Sequence, residues 1–173
     1  MVQHYNSENG PVIIAAKKAL ETGNPNYVLI WIPEESENTL KNLLEKTFCE
    51  RSTRKNIQNR GIDWYFESVN RLHFTCRWPH CPGMTSDGSD MKMIVSMVER
   101  AFETGNCEEI CGVLPIAHTA EVKLRFHNVM NKRNYTVDDI AAGRAYVSAF
   151  IAFIAYLHNL SSVNPEESDH TLH

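Results

Sequence analysis

Apolar positions recur at helical spacing through most of the chain, and the two-residue period of a half-buried strand is almost missing. Tyr27–Ile32 is the one strand-like run, and the flanking Pro25 and Pro33 favour a short helix there. Pro11 suits a first helical turn and Gly23 suits a helix end, so the pattern predicts a helix between them. Asn24 is placed to cap a short second helix that opens at Pro25. A third helix is predicted over Glu34–Glu50 and a fourth over Ile57–Cys76.

The same order returns 82 residues later. Ala19-Leu20-Glu21-Thr22-Gly23-Asn24 falls on Ala101-Phe102-Glu103-Thr104-Gly105-Asn106. Val28 falls on Ile110, Trp31 on Val113, Pro33 on Pro115, Leu40 on Val122, Leu44 on Phe126, Val69 on Ile151 and Leu72 on Ile154. A short run of identical residues arises by chance; apolar positions that stay in phase far beyond it favour duplication. In the second copy Asn106 and Glu109 resemble a capping box, and Pro115 repeats the break. A third helix is predicted over Ile116–Asn131, and a fourth over Val137–Leu160 opened by Thr136 and Asp139. Arg77–Ser89 is rich in Pro, Gly and polar residues and reads as a linker. The expected fold is an all-α helical bundle, one domain over residues 1–173. It comprises internal repeats 11–76 and 89–160 with pseudo-two-fold symmetry, a linker 77–88 and a loose tail 161–173.

Charge narrows the partners. The formal net charge is -4, which argues against nucleic acid, whose phosphates demand clustered Lys and Arg. The basic stretch Arg51–Arg60 is interspersed with polar residues and reads as a solvated loop or helix end. Val12–Ala16 and Ala145–Leu157 both fall short of the roughly 20 apolar residues that span a bilayer, so no transmembrane segment is expected. Ala145–Leu157 reads instead as a buried helix or as the face of a homodimer. No signal peptide is visible; the chain is periplasmic or secreted if a leader has been removed, and cytoplasmic otherwise. The five cysteines are Cys49, Cys76, Cys81, Cys107 and Cys111, and their spacings form no double CxxC zinc pattern.

Candidate chemistry comes from where the copies differ. Glu67, Asn70, Arg71 and His73 fall on Ala149, Ala152, Phe153 and Ala155. If the two fourth helices face each other, the alanines leave room for a polar pocket able to take a ligand or metal. The simpler reading is preferred: Glu67 and Arg71 form a surface ion pair, and Asn70 and His73 face water. A second candidate, His73, Cys76, His80 and Cys81, has zinc-binding residue types but no standard finger spacing. A Cys76–Cys81 disulfide or two unbridged thiols are favoured over metal there. Cys107 and Cys111, four apart on the short helix, read as small core residues. His118 and His127 share no tight face, and His158, His170 and His173 read as surface or tail residues. There is no GxSxG, HExxH, P-loop or GxGxxG.

His4-Tyr5-Asn6, Gly10-Pro11-Val12, Ala19–Asn24, Glu67 with Arg71-Leu72-His73, and Tyr135 with Asp138-Asp139, Ala142-Gly143-Arg144 and Tyr146-Val147 resemble a family of small bacterial helical proteins of unknown function. The resemblance runs over most of residues 4–160. It implies an extracytoplasmic origin, because typical members carry a leader and open the mature chain His-Cys-Asp. That opening is similar to the metal hook of nickel superoxide dismutase. Here Tyr5 and Asn9 stand at the thiolate positions and Asn6 at the acid, so nickel redox chemistry of that kind is rejected. Ala155 also replaces a family histidine, with His158 one turn later.

The leading expectation is therefore a small helical binding protein holding a transition metal such as zinc, copper or iron, or a small ligand, near His4, Glu67 and His73. The alternative is a structural or interaction module that dimerises through Ala145–Leu157, and a metal-dependent enzyme ranks third.

Overall fold

A computed structural model describes residues 10–53, 58–75 and 88–162. Among them the chain forms α1 (Pro11–Thr22), α2 (Asn26–Leu29), α3 (Glu37–Thr53), α4 (Gln58–Thr75), α5 (Gly88–Thr104), α6 (Glu108–Gly112), α7 (Thr119–Lys132) and α8 (Ile140–Ser162). Two 3-10 turns, Glu34–Ser36 and Ile116–His118, lead into α3 and α7. The described residues hold no strand, and the fold class is all-α. The strand-like Tyr27–Ile32 is helix and turn.

Local chemistry sets the boundaries. Gly23 ends α1 at φ 75°, and its N–H donates to the Ala19 carbonyl at 2.9 Å. Gly105 does the same work after α5 at φ 71°. Both positions need the left-handed region that glycine enters freely. Asn24 Oδ1 accepts the Asn26 N–H at 2.9 Å, and Asn106 Oδ1 accepts the Glu108 N–H at 2.8 Å, so both asparagines cap their short helices. Thr22 and Thr104 each donate a hydroxyl proton to the carbonyl four residues back, Lys18 and Arg100.

Three sequence expectations need correcting. The capping box at Asn106 does not close, because Glu109 turns to the Arg100 guanidinium instead of the Asn106 backbone. The fourth helix of the second half opens at Ile140, not Val137. Asp139 Oδ1 accepts the Ala142 N–H at 2.9 Å and fixes the helix start there, while the Thr136 carbonyl takes the Asp139 N–H in a preceding turn. Helix α5 opens at Gly88, the last residue of the expected linker. The rest of that linker, residues 77–87, and the tail beyond residue 162 lie outside the described residues.

The chain divides into two compact units. The first holds residues 10–75 together with Tyr135–Val147. Its core includes Val12, Ala16, Ala19, Val28, Leu29, Leu40, Tyr65 and Val69, all fully buried. Each large apolar side chain so buried contributes about 1.5–3 kcal/mol. The Tyr65 hydroxyl finds the Ala16 carbonyl at 3.2 Å, which keeps this buried polar tip satisfied. Tyr135–Val147, assigned by the repeat pattern to the second half, docks onto the first unit. Asn26 Nδ2 donates to Asp138 at 3.1 Å, and Arg144 Nη2 reaches Glu37 Oε1 at 2.8 Å and the Leu29 carbonyl at 3.4 Å. Gly143 makes the approach possible, since a Cβ there would lie 2.4 Å from Ile30 Cγ2.

The second unit holds residues 88–134 and 148–162. Its core is aromatic: the Phe126 ring lies 5.7 Å from Phe102 and 6.2 Å from Phe153, and Phe102 lies 5.6 Å from Phe150. Helix α8 is longer than the apolar run suggested. Ile140–Ser161 is long and apolar enough to cross a membrane by length and composition. Its apolar side chains are nevertheless core residues, Val147 in the first unit and Phe150, Ile151, Phe153, Ile154 and Leu157 in the second. Within Ala145–Leu157 only Ala145 is exposed. His158, expected at the surface, is buried, because it falls on the same face as Ile151 and Ile154.

Candidate functional site

Helix α4 carries most of the candidate residues, and its register decides which of them meet. Tyr65, Val69 and His73 recur every four residues and are buried, whereas Asp63, Trp64, Glu67 and Arg71 are exposed. Glu67 and His73 are six residues apart and lie on different faces, one in water and one in the core. His73 therefore does not face water, as the simpler sequence reading had it. His4, Cys76, His80 and Cys81 lie outside the described residues. Among the described residues no three His, Cys, Asp or Glu side chains gather as a metal group would require.

The environment of His73 fixes its state. Its Nδ1 lies 2.6 Å from the Trp31 carbonyl, and its ring meets the Trp31 ring edge-on at 6.2 Å. A carbonyl only accepts, so Nδ1 carries the proton in this bond and Nε2 keeps the lone pair. Burial holds the imidazole pKa below 6.5, with the Trp31 carbonyl opposing. Cys107, just before α6, and Cys111, on it, are both buried, as their spacing suggested. Burial first, and then the neighbouring Cys111, push the Cys107 thiol up to about 11, which leaves it a poor nucleophile at neutral pH.

A cleft of about 380 Å³ opens between α3 and α4 of the first unit. Thr39, Asn42, Leu43 and Lys46 line it from α3, and Trp64, Ser68, Arg71 and Leu72 from α4. Two features mark it. Its described lining residues include two cations and no carboxylate, in a chain of net charge -4. Ser68 is only 8% exposed, and its Oγ has no hydrogen-bond partner. A buried hydroxyl left without a partner costs about 1–3 kcal/mol. Trp64 is 43% exposed, and Lys46 Nζ sits 5.1 Å from its ring centroid. The groove thus offers an apolar bed in Leu43, Leu72 and the indole, and a polar rim in Lys46, Arg71, Asn42 and Thr39.

Sequence reasoning picked out Arg71 but missed Lys46, Trp64 and Ser68. The signal was present. The offset of 82 places Ser68 on Phe150 and Arg71 on Phe153, both buried in the aromatic core of the second unit. Arg71 opposite Phe153 stood among the differing positions already noted, and Ser68 opposite Phe150 did not.

The second unit also exposes large apolar side chains at Val113, Ile116 and Leu124, with Ile116 91% accessible. Comparison with known proteins found one family model, described as a family of unknown function (DUF6448), that matches residues 9–156. No curated protein and no solved structure matches the chain.

Proposed function

The chain belongs to the DUF6448 family, a family of unknown function, and from that premise we propose that it is a small-ligand-binding protein whose site is the groove between α3 and α4. The observation that carries this reading is the groove itself. Its volume falls within the roughly 300–1,000 Å³ of ligand pockets, and its lining is apolar with a few polar groups. The Ser68 hydroxyl in the lining has no base hydrogen-bonded to it, which supports a reading of binding.

Tandem duplication belongs to the same proposal. The glycine stops at Gly23 and Gly105, the asparagine caps, and the two 3-10 turns opening at Glu34 and Ile116 all stand 82 residues apart, which supports it. On this reading the two halves began with equivalent helix pairs. One carries Phe150 and Phe153, packed on Phe102 and Phe126, where the other carries Ser68 and Arg71 in the groove lining.

The test uses N-phenyl-1-naphthylamine, an uncharged dye that fluoresces in apolar sites. Saturable binding to the full chain is expected, lost in both Ser68→Phe and Arg71→Phe, each of which puts a bulky ring into the groove lining. A folded Arg71→Phe variant that binds the dye unchanged would overturn the proposal, as would wild-type protein that binds none.

A second reading rests on Val113, Ile116 and Leu124. Exposed apolar side chains of this size mark interaction surfaces when they form a patch. A partner-binding or self-associating protein would lose association when Ile116 and Leu124 become Ser, and light scattering reads that directly.

A further inference from the structure

We infer that the groove between α3 and α4 selects an amphiphilic organic anion, a flat or extended apolar body ending in a carboxylate or sulfonate-like group. This rests on the binding function proposed above and deepens it by naming the ligand class. Three observations point the same way. Among the described lining residues the charged side chains are Lys46 and Arg71, one from each helix, so the two helices contribute like charge to the cleft. Two cations facing one cleft repel each other unless an anion lies between them. Next, the Ser68 hydroxyl is buried without a partner, and a hydroxyl is a donor that an anionic oxygen satisfies well. Lys46 and Arg71 are both exposed long side chains at the groove's rim, free to place their charged ends where a bound anion would lie. Finally, the remaining surface is hydrocarbon and indole: Leu43, Leu72 and a Trp64 ring already engaged by a cation at 5.1 Å. An indole of this kind stacks on a flat apolar body while the cation beside it pairs with the ligand's charge.

A free inorganic anion fits less well, since it would leave the apolar bed unused. A cationic or sugar-like ligand fits less well again, because the described lining residues include no carboxylate to receive it.

The experiment compares two dyes that share one skeleton. N-phenyl-1-naphthylamine is neutral, and 8-anilino-1-naphthalenesulfonate is the same molecule with a sulfonate added. Fluorescence titration of the full chain should show the sulfonate binding at least about tenfold more tightly than the neutral dye. Lys46→Gln and Arg71→Gln should each weaken the sulfonate several-fold. In the double variant the two dyes should bind with equal affinity, within about twofold. Equal affinities in the wild type would overturn the inference, and so would a preference that survives the double variant. If both dyes bind equally and Ser68→Phe abolishes both, the groove is the site and only its charge selectivity is wrong. If neither dye responds to Ser68→Phe or Arg71→Phe, the binding proposal itself fails.

Discussion

A single missing methyl lets the Tyr135–Val147 segment reach the first unit. At Gly143 an added Cβ would collide with Ile30 Cγ2 at 2.4 Å and crowd the Tyr135 ring at 3.1 Å. Alanine normally gains about 1 kcal/mol over glycine inside a helix. Here overpacking wins, and Gly143→Ala should cost a net 1–2 kcal/mol or so in urea denaturation. Gly112→Ala, with nothing within 4 Å of its Cβ, should be neutral or slightly stabilising. His73 gives a second residue-scale prediction. Burial lowers its pKa in the folded state, so the unfolded chain takes up the proton first as pH falls. Its stabilising contribution is complete above pH 6.5 and declines below it until the folded imidazole also protonates. His73→Asn keeps an N–H for the Trp31 carbonyl and removes the titration. Urea midpoints of that variant should vary less than wild type between pH 6.5 and about 5. At this scale the sequence identified the residues better than their surroundings. Gly143 and His73 both stood out, but neither Ile30 nor the Trp31 carbonyl could be named as their partner, because those contacts join segments far apart in the chain.

Helix boundaries were the most legible feature, since Gly23, Gly105, Asn24, Asn106 and the two prolines act on their immediate neighbours. Helix allegiance was less legible. The repeat pattern placed residues 137–147 with the second half, and alignment by offset records which positions are equivalent, not which unit a segment joins. Arg144 shows what ties this segment down. Its guanidinium pairs with Glu37 and holds that carboxyl below its ordinary range, assisted by Lys41. Both side chains are about a quarter exposed, so solvent screens the pair and its worth is about 1 kcal/mol. Arg144→Met should cost about that much near neutral pH, with part of the loss due to the Leu29 carbonyl. The Glu37 contribution is present above pH 4.5 and disappears as pH falls through its folded pKa. Wild type and Arg144→Met should therefore converge in stability under acid, and denaturation at stepped pH values checks this.

Across the whole molecule, the all-α class followed from periodicity alone, and the groove did not. A cleft is the space left by side chains on two helices, and no single-helix pattern shows it. The comparison of halves came nearest, since it flagged the polar fourth helix of the first. It pointed to Glu67 and His73, which the helix turns to opposite environments, while Lys46 on α3 had no place in a comparison confined to the fourth helices. The central proposal for this protein is that the α3–α4 groove of the first unit binds a ligand. Amide NMR of the full chain titrated with 8-anilino-1-naphthalenesulfonate tests it most directly. The account predicts saturable shifts concentrated at residues 39–46 and 64–72. Shifts concentrated instead around Val113, Ile116 and Leu124, or no saturable shifts anywhere, would contradict it.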